Sequence, residues 1–471
     1  MTRRYIAWVA SAALLPLAGA GSALAQAPVQ AVGQDNASSQ SANSGASSTQ
    51  IGAQNRNISV RVLSPGNDGD VTQSNSSSAD SSASNNNETR QSAAQQALGA
   101  AEQLIGQANA NHQSADSDAT SKQVDPKNDN IVVRVLSPGN GGDVTQSNSS
   151  SAGSSATNGN STTQSATQQA SGSGCGCHPA PAPAPTTVAP VPDPHPAPPA
   201  HHEDSATIQA IGQENQNSQH ASSDATSEQY HPQNQNISVR VLSPGHDGDV
   251  TQSNSSSADS SASNANSTNQ SATQQAGSGP AMVADGVARE RDPGHCGCGG
   301  DVLQLIGQAN ANAQRADSEA ASKQAGASNS NVPVAIGGWS GGGDVTQSND
   351  SSAESSADNH NATTQSATQQ AGGGRQCGCH KGDLVIQAIG QENSGRQSAD
   401  SDASSWQKHP SNENGSLDVG GYGGHGQHGG SMGPLERVVR KLGHVTQSNS
   451  SDAKSGANNS NGTGQSAQQS A

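Results

Sequence analysis

Phenylalanine is absent from this chain, and aromatic residues make up only 1% of its 471 positions. Apolar residues of all kinds reach 29%, and the mean hydropathy is -0.73. A chain so poor in large apolar side chains does not bury enough apolar surface to offset the entropy of ordering its backbone around an ordinary globular core. Two states remain. The chain is either disordered, or repetitive with polar side chains bonded between its layers.

Charge is also sparse, because Asp, Glu, Lys and Arg together make up 13% of the residues. The formal net charge of -17 and the isoelectric point of about 5.1 argue against a nucleic-acid partner and favour solubility. No Ser, His and Asp arrangement suits nucleophilic catalysis, and no glycine-rich stretch has the context of a phosphate-binding loop. We therefore expect no enzyme activity, no catalytic residue and no cofactor.

Long apolar runs are missing beyond the N-terminus. Arg3 and Arg4 precede an apolar stretch at residues 6–17, and Ala23-Leu24-Ala25 fits the small-x-small rule for signal cleavage. The apolar stretch is too short for a membrane span. These features predict a signal peptide at residues 1–25, a protein that is secreted or held at the cell surface, and no membrane span after signal removal.

What the chain does have is a repeat with a period of two. Residues 249–276 have close copies beginning at Asp70, Asp143 and Asp344, and a diverged copy beginning at His444. Most Gln, Ala and Asn residues fall in one alternate set, and most Ser and Thr residues and the charged residues fall in the other. Side chains of a β-strand alternate between its faces, so this parity indicates strands. We refer to these segments as B halves.

A second family of segments, the A halves, shows the same alternation. The A halves occupy residues 30–50, 103–123, 209–229, 304–324 and 387–407. Each of the first four B halves begins 40 residues after its A half, whereas the spacing between A–B pairs varies. A fixed offset beside variable joints indicates that the pair is the structural unit of a solenoid with looped insertions.

These spacings give five repeat units with linkers. The units cover residues 26–97, 98–170, 205–276, 301–371 and 383–471, the last with an insertion rich in Gly and His. The linkers cover residues 171–204, 277–300 and 372–382, and the first of them is rich in proline.

A short apolar run lies between the A half and the B half of the first three units and decays in the fourth. It occupies residues 57–66 in the first unit, where Ile58, Val60 and Val62 share one face and Pro65-Gly66 closes the run as a turn. We expect these runs to be strands that cover or edge the stack. In the fifth unit, residues 435–442 replace the run and could form one short helix.

A module of about twenty residues would extend roughly 65 Å as a single strand, far beyond ordinary strand lengths. We therefore expect each module to bend, for instance at Asn158-Gly159 and Asn461-Gly462, where Asn-Gly favours a tight turn. The predicted fold is all-β: a repetitive β-solenoid or β-helix of stacked strand-bend-strand modules, interrupted by flexible linkers.

Stacking such modules at about 4.7 Å would align Gln on Gln and Asn on Asn, so that their amides bond along the stack in ladders. Ala and Ser would let two sheets approach closely. The predicted ladder residues are Gln73, Asn75, Gln91, Gln107, Asn109, Gln113, Gln146, Asn148, Gln164, Gln213, Asn215, Gln219, Gln252, Asn254, Gln270, Gln308, Asn310, Gln347, Asn349, Gln365, Gln391 and Asn393.

All six cysteines form Cys-Gly-Cys pairs in the linkers. They are Cys175, Cys177, Cys296, Cys298, Cys377 and Cys379. In an exported protein the leading expectation is disulfide bonds between linkers or between chains. A soft metal site with the adjoining histidines and solvated free thiols are the alternatives, although the spacing is not that of a zinc finger. We therefore predict no metal ligands.

The openings of the A halves, residues 209–215 and 387–393, read Gln-x-x-Gly-x-x-Asn, with regularly spaced Gln, Asn and Ser after them. This pattern resembles the curlin-type repeats of bacterial curli amyloid. The resemblance implies strand-arc-strand repeats that stack into a β-solenoid fibre with inward Gln and Asn ladders.

The leading functional expectation is an exported structural protein, a self-associating subunit of a bacterial surface fibre, coat or extracellular matrix. It would associate through the open ends of its solenoid, with cell-surface or matrix components as further partners. One alternative is a monomeric surface adhesin or an ice- or glycan-binding solenoid. The other is a disordered, hydrated spacer.

Overall fold

The computed structural model describes residues 29–98, 101–171, 207–277, 301–337, 340–372, 384–419 and 443–470. These residues form parallel strands, turns and loops, stacked in three main sheets. The fold class predicted from the sequence, an all-β repetitive solenoid with Asn and Gln ladders, is confirmed.

The five A halves are single continuous strands that form the first sheet, which we call the A wall. The strands of the A wall are β1 (Val29–Ile51), β4 (Glu102–Val124), β7 (Thr207–Tyr230), β11 (Val302–Ala325) and β15 (Val385–Lys408). They pair in parallel in that order, with each inward-facing Gln beside the corresponding Gln of the next unit.

The five B halves form the opposite sheet, the B wall. Its strands are β3 (Val71–Leu98), β6 (Val144–Ser171), β10 (Val250–Gly277), β14 (Val345–Ala371) and β18 (Val445–Ser470). Pairing is again parallel and in register along whole strands. One unit therefore contributes one strand to each wall, and we number these units as rungs 1 to 5.

The short apolar runs form a third parallel sheet, the short sheet, which continues the A wall past a turn. Its strands are β2 (Gln54–Val62), β5 (Lys127–Val135), β8 (Gln233–Val241), β12 (Ser328–Ile336), β16 (Ser411–Asn414) and β17 (Leu417–Val419). Strands β16 and β17 both pair with β12 and together make up rung 5. The two-residue strands β9 (Gly245–His246) and β13 (Ser340–Gly341) pair beside it.

Two sharp turns shape each rung. The first, between the A strand and the short strand, holds a residue with positive φ, such as Gly52 at 63° or Asp125 at 50°. The second follows the short strand and leads into a glycine loop. There Gly139 has φ of 146°, and a Cβ on it would lie 2.0 Å from the carbonyl oxygen of Gly66 in the rung before. Only glycine therefore fits this stacked loop.

The alternation seen in the sequence sets which side chains are buried. In β10 the set that begins at Val250 is buried at every position, and the other set is half-buried or exposed. The interior is built from small side chains: one apolar cluster between the walls consists of Ala83, Ala115, Ala156, Ala221, Ala262, Ala316 and Ala357. Alanine lets the two walls approach closely enough for their polar side chains to meet across the interior.

The predicted bends within modules are wrong. Strand β6 runs through Asn158-Gly159 without interruption, and β18 runs through Asn461-Gly462. A strand of 28 residues extends about 90 Å. The Asn158 amide is buried and donates to the carbonyl oxygen of His220 at 2.6 Å and to Asn264 Oδ1 at 2.9 Å. These bonds to the opposite wall and the next rung hold Asn158 in the strand, against the local preference of Asn-Gly for a turn.

The close approach of the walls predicts that Ala262, which is 1% exposed, does not tolerate a larger side chain. We expect Ala262→Leu to destabilise the protein by about 2 kcal/mol, because the extra methyl groups force the walls apart. Ser263→Leu places the same side chain on the outer face of the same strand and is the matched control. Urea unfolding checks both variants, and equal effects would contradict the tight interior.

Candidate self-association site at the two ends of the stack

The interior of the solenoid is a set of amide ladders. Gln107 Nε2 donates one hydrogen bond to Gln34 Oε1 of rung 1 at 2.7 Å and another to the carbonyl oxygen of Ser165 on the B wall at 3.1 Å. The same pair of bonds recurs at Gln213, which donates to Gln107 Oε1 at 2.8 Å and to the Ser271 carbonyl oxygen at 3.1 Å. Each such glutamine therefore links its rung to the previous rung and its wall to the opposite wall.

The ladders have a direction. Inward-facing glutamines donate toward the N-terminal rung, as Gln213 does to Gln107. Inward-facing asparagines donate the opposite way: Asn109 Nδ2 donates to Asn215 Oδ1 at 2.7 Å, and Asn215 Nδ2 donates to Asn310 Oδ1 at 2.7 Å. The two amide types thus run antiparallel to each other along the stack.

Every predicted ladder residue lies on an inner face and bonds to the same residue type in an adjacent rung. The columns on the A wall contain Gln107, Gln213, Gln308 and Gln391; Gln113 and Gln219; and Asn109, Asn215, Asn310 and Asn393. The columns on the B wall contain Gln73, Gln146, Gln252 and Gln347; Gln91, Gln164, Gln270 and Gln365; and Asn75, Asn148, Asn254 and Asn349.

The predicted set missed several further columns of the same kind. These include Gln103, Gln209, Gln304 and Gln387; Asn158, Asn264 and Asn359; and, in the short sheet, Asn128, Asn234, Asn329 and Asn412. The columns on the two walls have the same parity as the predicted ones. The short-sheet asparagines precede the Ile and Val residues and have the opposite parity in the strand, which indicates that they lie on the face opposite to the apolar one.

Serine hydroxyls complete the contact between the walls. Ser121 Oγ lies 3.0 Å from Ser77 Oγ and 2.9 Å from Ser150 Oγ, so one hydroxyl of the A wall bonds to two successive rungs of the B wall. Each B strand is therefore offset by half a rung from the A strands. The Gln91 amide shows the same offset, since it donates to the carbonyl oxygen of Ala108 in rung 2 at 2.8 Å as well as to that of Gln34 in rung 1 at 3.4 Å.

Buried arginines hold the glycine loops against the short sheet. Arg134 is 0% exposed, and its Nε donates to Asp68 Oδ2 of rung 1 at 2.8 Å. Arg61 Nε donates to the other oxygen of the same carboxylate at 2.8 Å. In rung 3, Arg240 bonds to its own Asp247 at 2.8 Å. A guanidinium provides several donors in a fixed plane, which suits these crowded loop carbonyl and carboxylate oxygens.

Acidic side chains stack in columns on the outer faces. Burial and the neighbouring Glu319, Asp118 and Asp317 raise the pKa of Asp224 above its usual value. Like charges in adjacent rungs repel, so these columns oppose stacking at neutral pH.

The two ends of the stack differ because of the half-rung offset. At the N-terminal end, β1 extends beyond β3, and the inward side chains of β1 are only half-buried. At the C-terminal end, β18 extends beyond β15 and is exposed at every position. Both ends are open sheet edges within the described residues, with unpaired backbone groups along their outer side.

The ends also present opposite hydrogen-bonding groups. In rung 1, Gln34 Nε2 donates to the Ser92 carbonyl oxygen at 2.9 Å, and no described strand precedes it to accept its second N–H. In rung 5, Asn393 Nδ2 donates to Thr463 Oγ1 at 2.7 Å, and no described strand follows it. The N-terminal end therefore offers glutamine donors and asparagine acceptors, and the C-terminal end offers glutamine acceptors and asparagine donors.

Several predicted features lie outside the described residues. These are the signal peptide at 1–25, the possible helix at 435–442, and all six cysteines of the disulfide and metal alternatives. Among the described residues, no cluster of three or more His, Cys, Asp or Glu side chains could hold a metal ion. The same part of the chain has no helix that is long and apolar enough to cross a membrane.

Comparisons with protein-family models, with curated proteins and with solved structures gave no match.

The ladder predicts a large penalty for removing one interior amide. Asn254 Oδ1 accepts from Asn148 at 2.9 Å and Asn234 at 3.1 Å, and its Nδ2 donates to Asn329 at 3.0 Å and Asn349 at 2.9 Å. Asn254→Leu leaves those four amides each short of a partner in the interior. We expect a loss of about 3 kcal/mol in the free energy of unfolding, measured by urea unfolding.

Ser253→Ala, one residue away on the outer face, is the matched control and should change the free energy of unfolding by less than about 0.5 kcal/mol. Similar losses for Asn254→Leu and Ser253→Ala would show that the amide column does not stabilise the stack.

The acidic columns predict a gain in stability on mild acidification. Because the pKa of Asp224 is raised in the folded state, the folded protein binds its proton more tightly than the unfolded chain does. Its contribution to the free energy of unfolding therefore increases as pH falls through the raised pKa and decreases as pH rises. Asp224→Asn should raise the thermal midpoint at pH 7 by about 1 °C and remove this part of the pH dependence. A lower midpoint for Asp224→Asn at pH 7 would contradict the repulsion.

Proposed function

We propose that this chain is an exported structural protein whose copies stack head to tail into a surface or matrix fibre. The observation that carries the proposal is the opposite hydrogen-bonding character of the two ends. A second copy of the chain placed on rung 5 supplies a glutamine donor for every inward-facing glutamine acceptor, and an asparagine acceptor for every inward-facing asparagine donor. Two like ends placed together would instead oppose donor to donor and acceptor to acceptor.

The register of the next copy follows from the columns. The A wall continues if Gln387, Gln391, Gln397 and Gln407 of one copy meet Gln30, Gln34, Gln40 and Gln50 of the next, as the same columns do within the chain. The half-rung offset supports this contact, because the protruding β18 fits beside the protruding β1 of the next copy. Such pairing is edge-to-edge β-augmentation, which uses backbone groups already exposed at both ends.

Charges in the outer columns support the same register. Asp80 in rung 1 and Lys454 in rung 5 occupy the same column of the B wall. In the proposed register, Lys454 of one copy therefore lies beside Asp80 of the next copy. By the same rule, Glu413 meets Arg56. Glu392 and Asp35 are a like pair in this register and oppose the contact.

Export, which the N-terminal sequence predicts, would bring the protein outside the cytoplasm, where a fibre, coat or matrix subunit acts. The acidic net charge keeps separate copies apart until their ends meet. An interior without a large hydrophobic core suits such a subunit, because the same ladder that holds one chain together can continue into the next copy. The curlin-type resemblance of the A halves supports the same function.

The direct test uses the mature chain, residues 26–471, purified from a soluble preparation. We expect thioflavin binding, unbranched filaments in electron micrographs, and fibre diffraction with a meridional reflection near 4.7 Å. A folded, β-rich protein that stays monomeric at high concentration would overturn the fibre proposal and favour a monomeric adhesin or binding solenoid. A coil spectrum in far-ultraviolet circular dichroism would favour the hydrated spacer.

The predicted register has its own test. Lys454→Ser should slow seeded elongation about two- to five-fold at low salt, because it removes the charge that faces Asp80 of the next copy, and the difference should disappear at high salt. Lys408→Ser is the matched control, since the same register places Lys408 opposite Ile51. Equal effects of the two substitutions at low salt would show that the register is wrong.

A further inference from the structure

An aliphatic surface covers the outer face of the short sheet, and we call it the aliphatic face. It consists of three columns of side chains at alternate positions of the short strands. Three leucines, each directly after one of the strands β2, β5 and β8, extend it. Its members are Ile58, Ile131, Ile237 and Val332; Val60, Val133, Val239, Val334 and Leu417; Val62, Val135, Val241, Ile336 and Val419; and Leu63, Leu136 and Leu242.

The short sheet has its polar side inward. Asn128, Asn130 and Arg134 are buried in β5, while Ile131 and Val133 point outward and are only partly covered. The alternation along each short strand places its aliphatic residues on one face. The opposite, polar face packs against the glycine loops and the B wall, so the aliphatic face is directed outward. No described part of the chain lies over it.

The leucines at the second turn strengthen this observation. Leu63, Leu136 and Leu242 have φ of 53°, 50° and 49°, in the left-handed region that non-glycine residues rarely adopt. Rung 4 has Gly337 at the same position, with φ of 65°, so glycine fits the turn without strain. The leucines are 71%, 45% and 51% exposed, so burial within the described chain does not offset their strain.

The size of the aliphatic face sets what can cover it. From the exposed fractions of its members, it presents roughly 700 Å² of apolar surface, more than the largest patch on a typical monomer. Two copies placed face to face would bury about 1,400 Å² in total, which lies within the range of stable, specific interfaces.

We propose that the aliphatic face pairs two copies of this chain face to face, about a twofold axis parallel to the short strands. This axis sets rung 1 of one copy opposite rung 5 of the other and keeps each column opposite itself. Val239 in rung 3 then meets Val239 of the other copy, and Val60 meets Leu417. On the polar side of the columns, Arg56 meets Glu413 of the other copy, and the symmetry repeats this pair of opposite charges.

The pairing goes beyond head-to-tail stacking and does not depend on it. It uses a side of the solenoid rather than its ends, and it closes at two copies, whereas stacking at the ends does not close. Filaments joined in this way would be double and antiparallel.

Sedimentation velocity of the freshly purified mature chain tests the pairing, with Leu136→Gly/Leu242→Gly as the decisive variant. We expect wild-type protein to reach a dimer that stays at two copies over a range of low concentrations. The variant should raise the dimer dissociation constant at least ten-fold, while the thermal midpoint of the dilute monomer stays within a few degrees, because glycine relieves the turn.

Val133→Thr/Val239→Thr is the second variant. It keeps the branched shape that suits a strand but makes the centre of the aliphatic face polar, and it should raise the dissociation constant similarly. Thr145→Val/Thr251→Val is the matched control, because it changes outward residues of the B wall in the same two rungs. The control should leave the dissociation constant unchanged.

A wild-type chain that remains monomeric at 100 µM, or a dimer that none of the aliphatic-face variants weakens, would overturn the proposal. So would a monomer that binds neutral phosphatidylcholine vesicles through this face, since a lipid surface would then be its partner. Failure of end stacking would leave the dimer intact, and failure of pairing would leave single filaments in electron micrographs, so the two results are distinguishable.

Discussion

The structure depends on carboxamide side chains that bond in two directions at once. An inward glutamine such as Gln213 joins its rung to the one before and its wall to the one opposite. A buried amide without partners is strongly destabilising, so the columns favour the same amide at the same height in successive rungs. This preference explains why the strands keep strict register over 23 to 28 residues while the joints between units vary in length.

The same interaction gives the stack a direction and leaves its ends incomplete. Interior amides largely satisfy each other, apart from Asn111 Oδ1, which has Ser38 beside it in rung 1 and no partner. The amides of rung 1 and rung 5 have a neighbour on one side only. Burial, together with the neighbouring Glu319, Asp118 and Asp317, raises the pKa of Asp224, so the ionised acidic columns act against the ladders. The stability of the stack therefore depends on two opposing effects: the interior hydrogen bonds favour stacking, and the repulsion between surface charges opposes it.

The short sheet has a different role from the two walls. Its inner face continues the asparagine ladders and holds the buried arginines, while its outer face exposes three columns of branched aliphatic residues. The described part of the solenoid thus has two kinds of unsatisfied surface: polar edges at its ends, where the amides have a neighbour on one side only, and an apolar side. Strained leucines at the second turn belong to the apolar side.

The sequence by itself determined the all-β solenoid, the five-rung repeat and the columns of Gln and Asn, because a strand has a period of two and a stack aligns like with like. Parity defines two faces, but it does not say which face is covered, so the outward direction of Ile58, Val60 and Val62 was decided by tertiary packing. The continuous strands were also a tertiary outcome, since the cross-wall bonds of Asn158 outweigh the local preference of Asn-Gly for a turn. The half-rung offset and the direction of the amides depend on contacts between the walls, which arise only when distant segments meet.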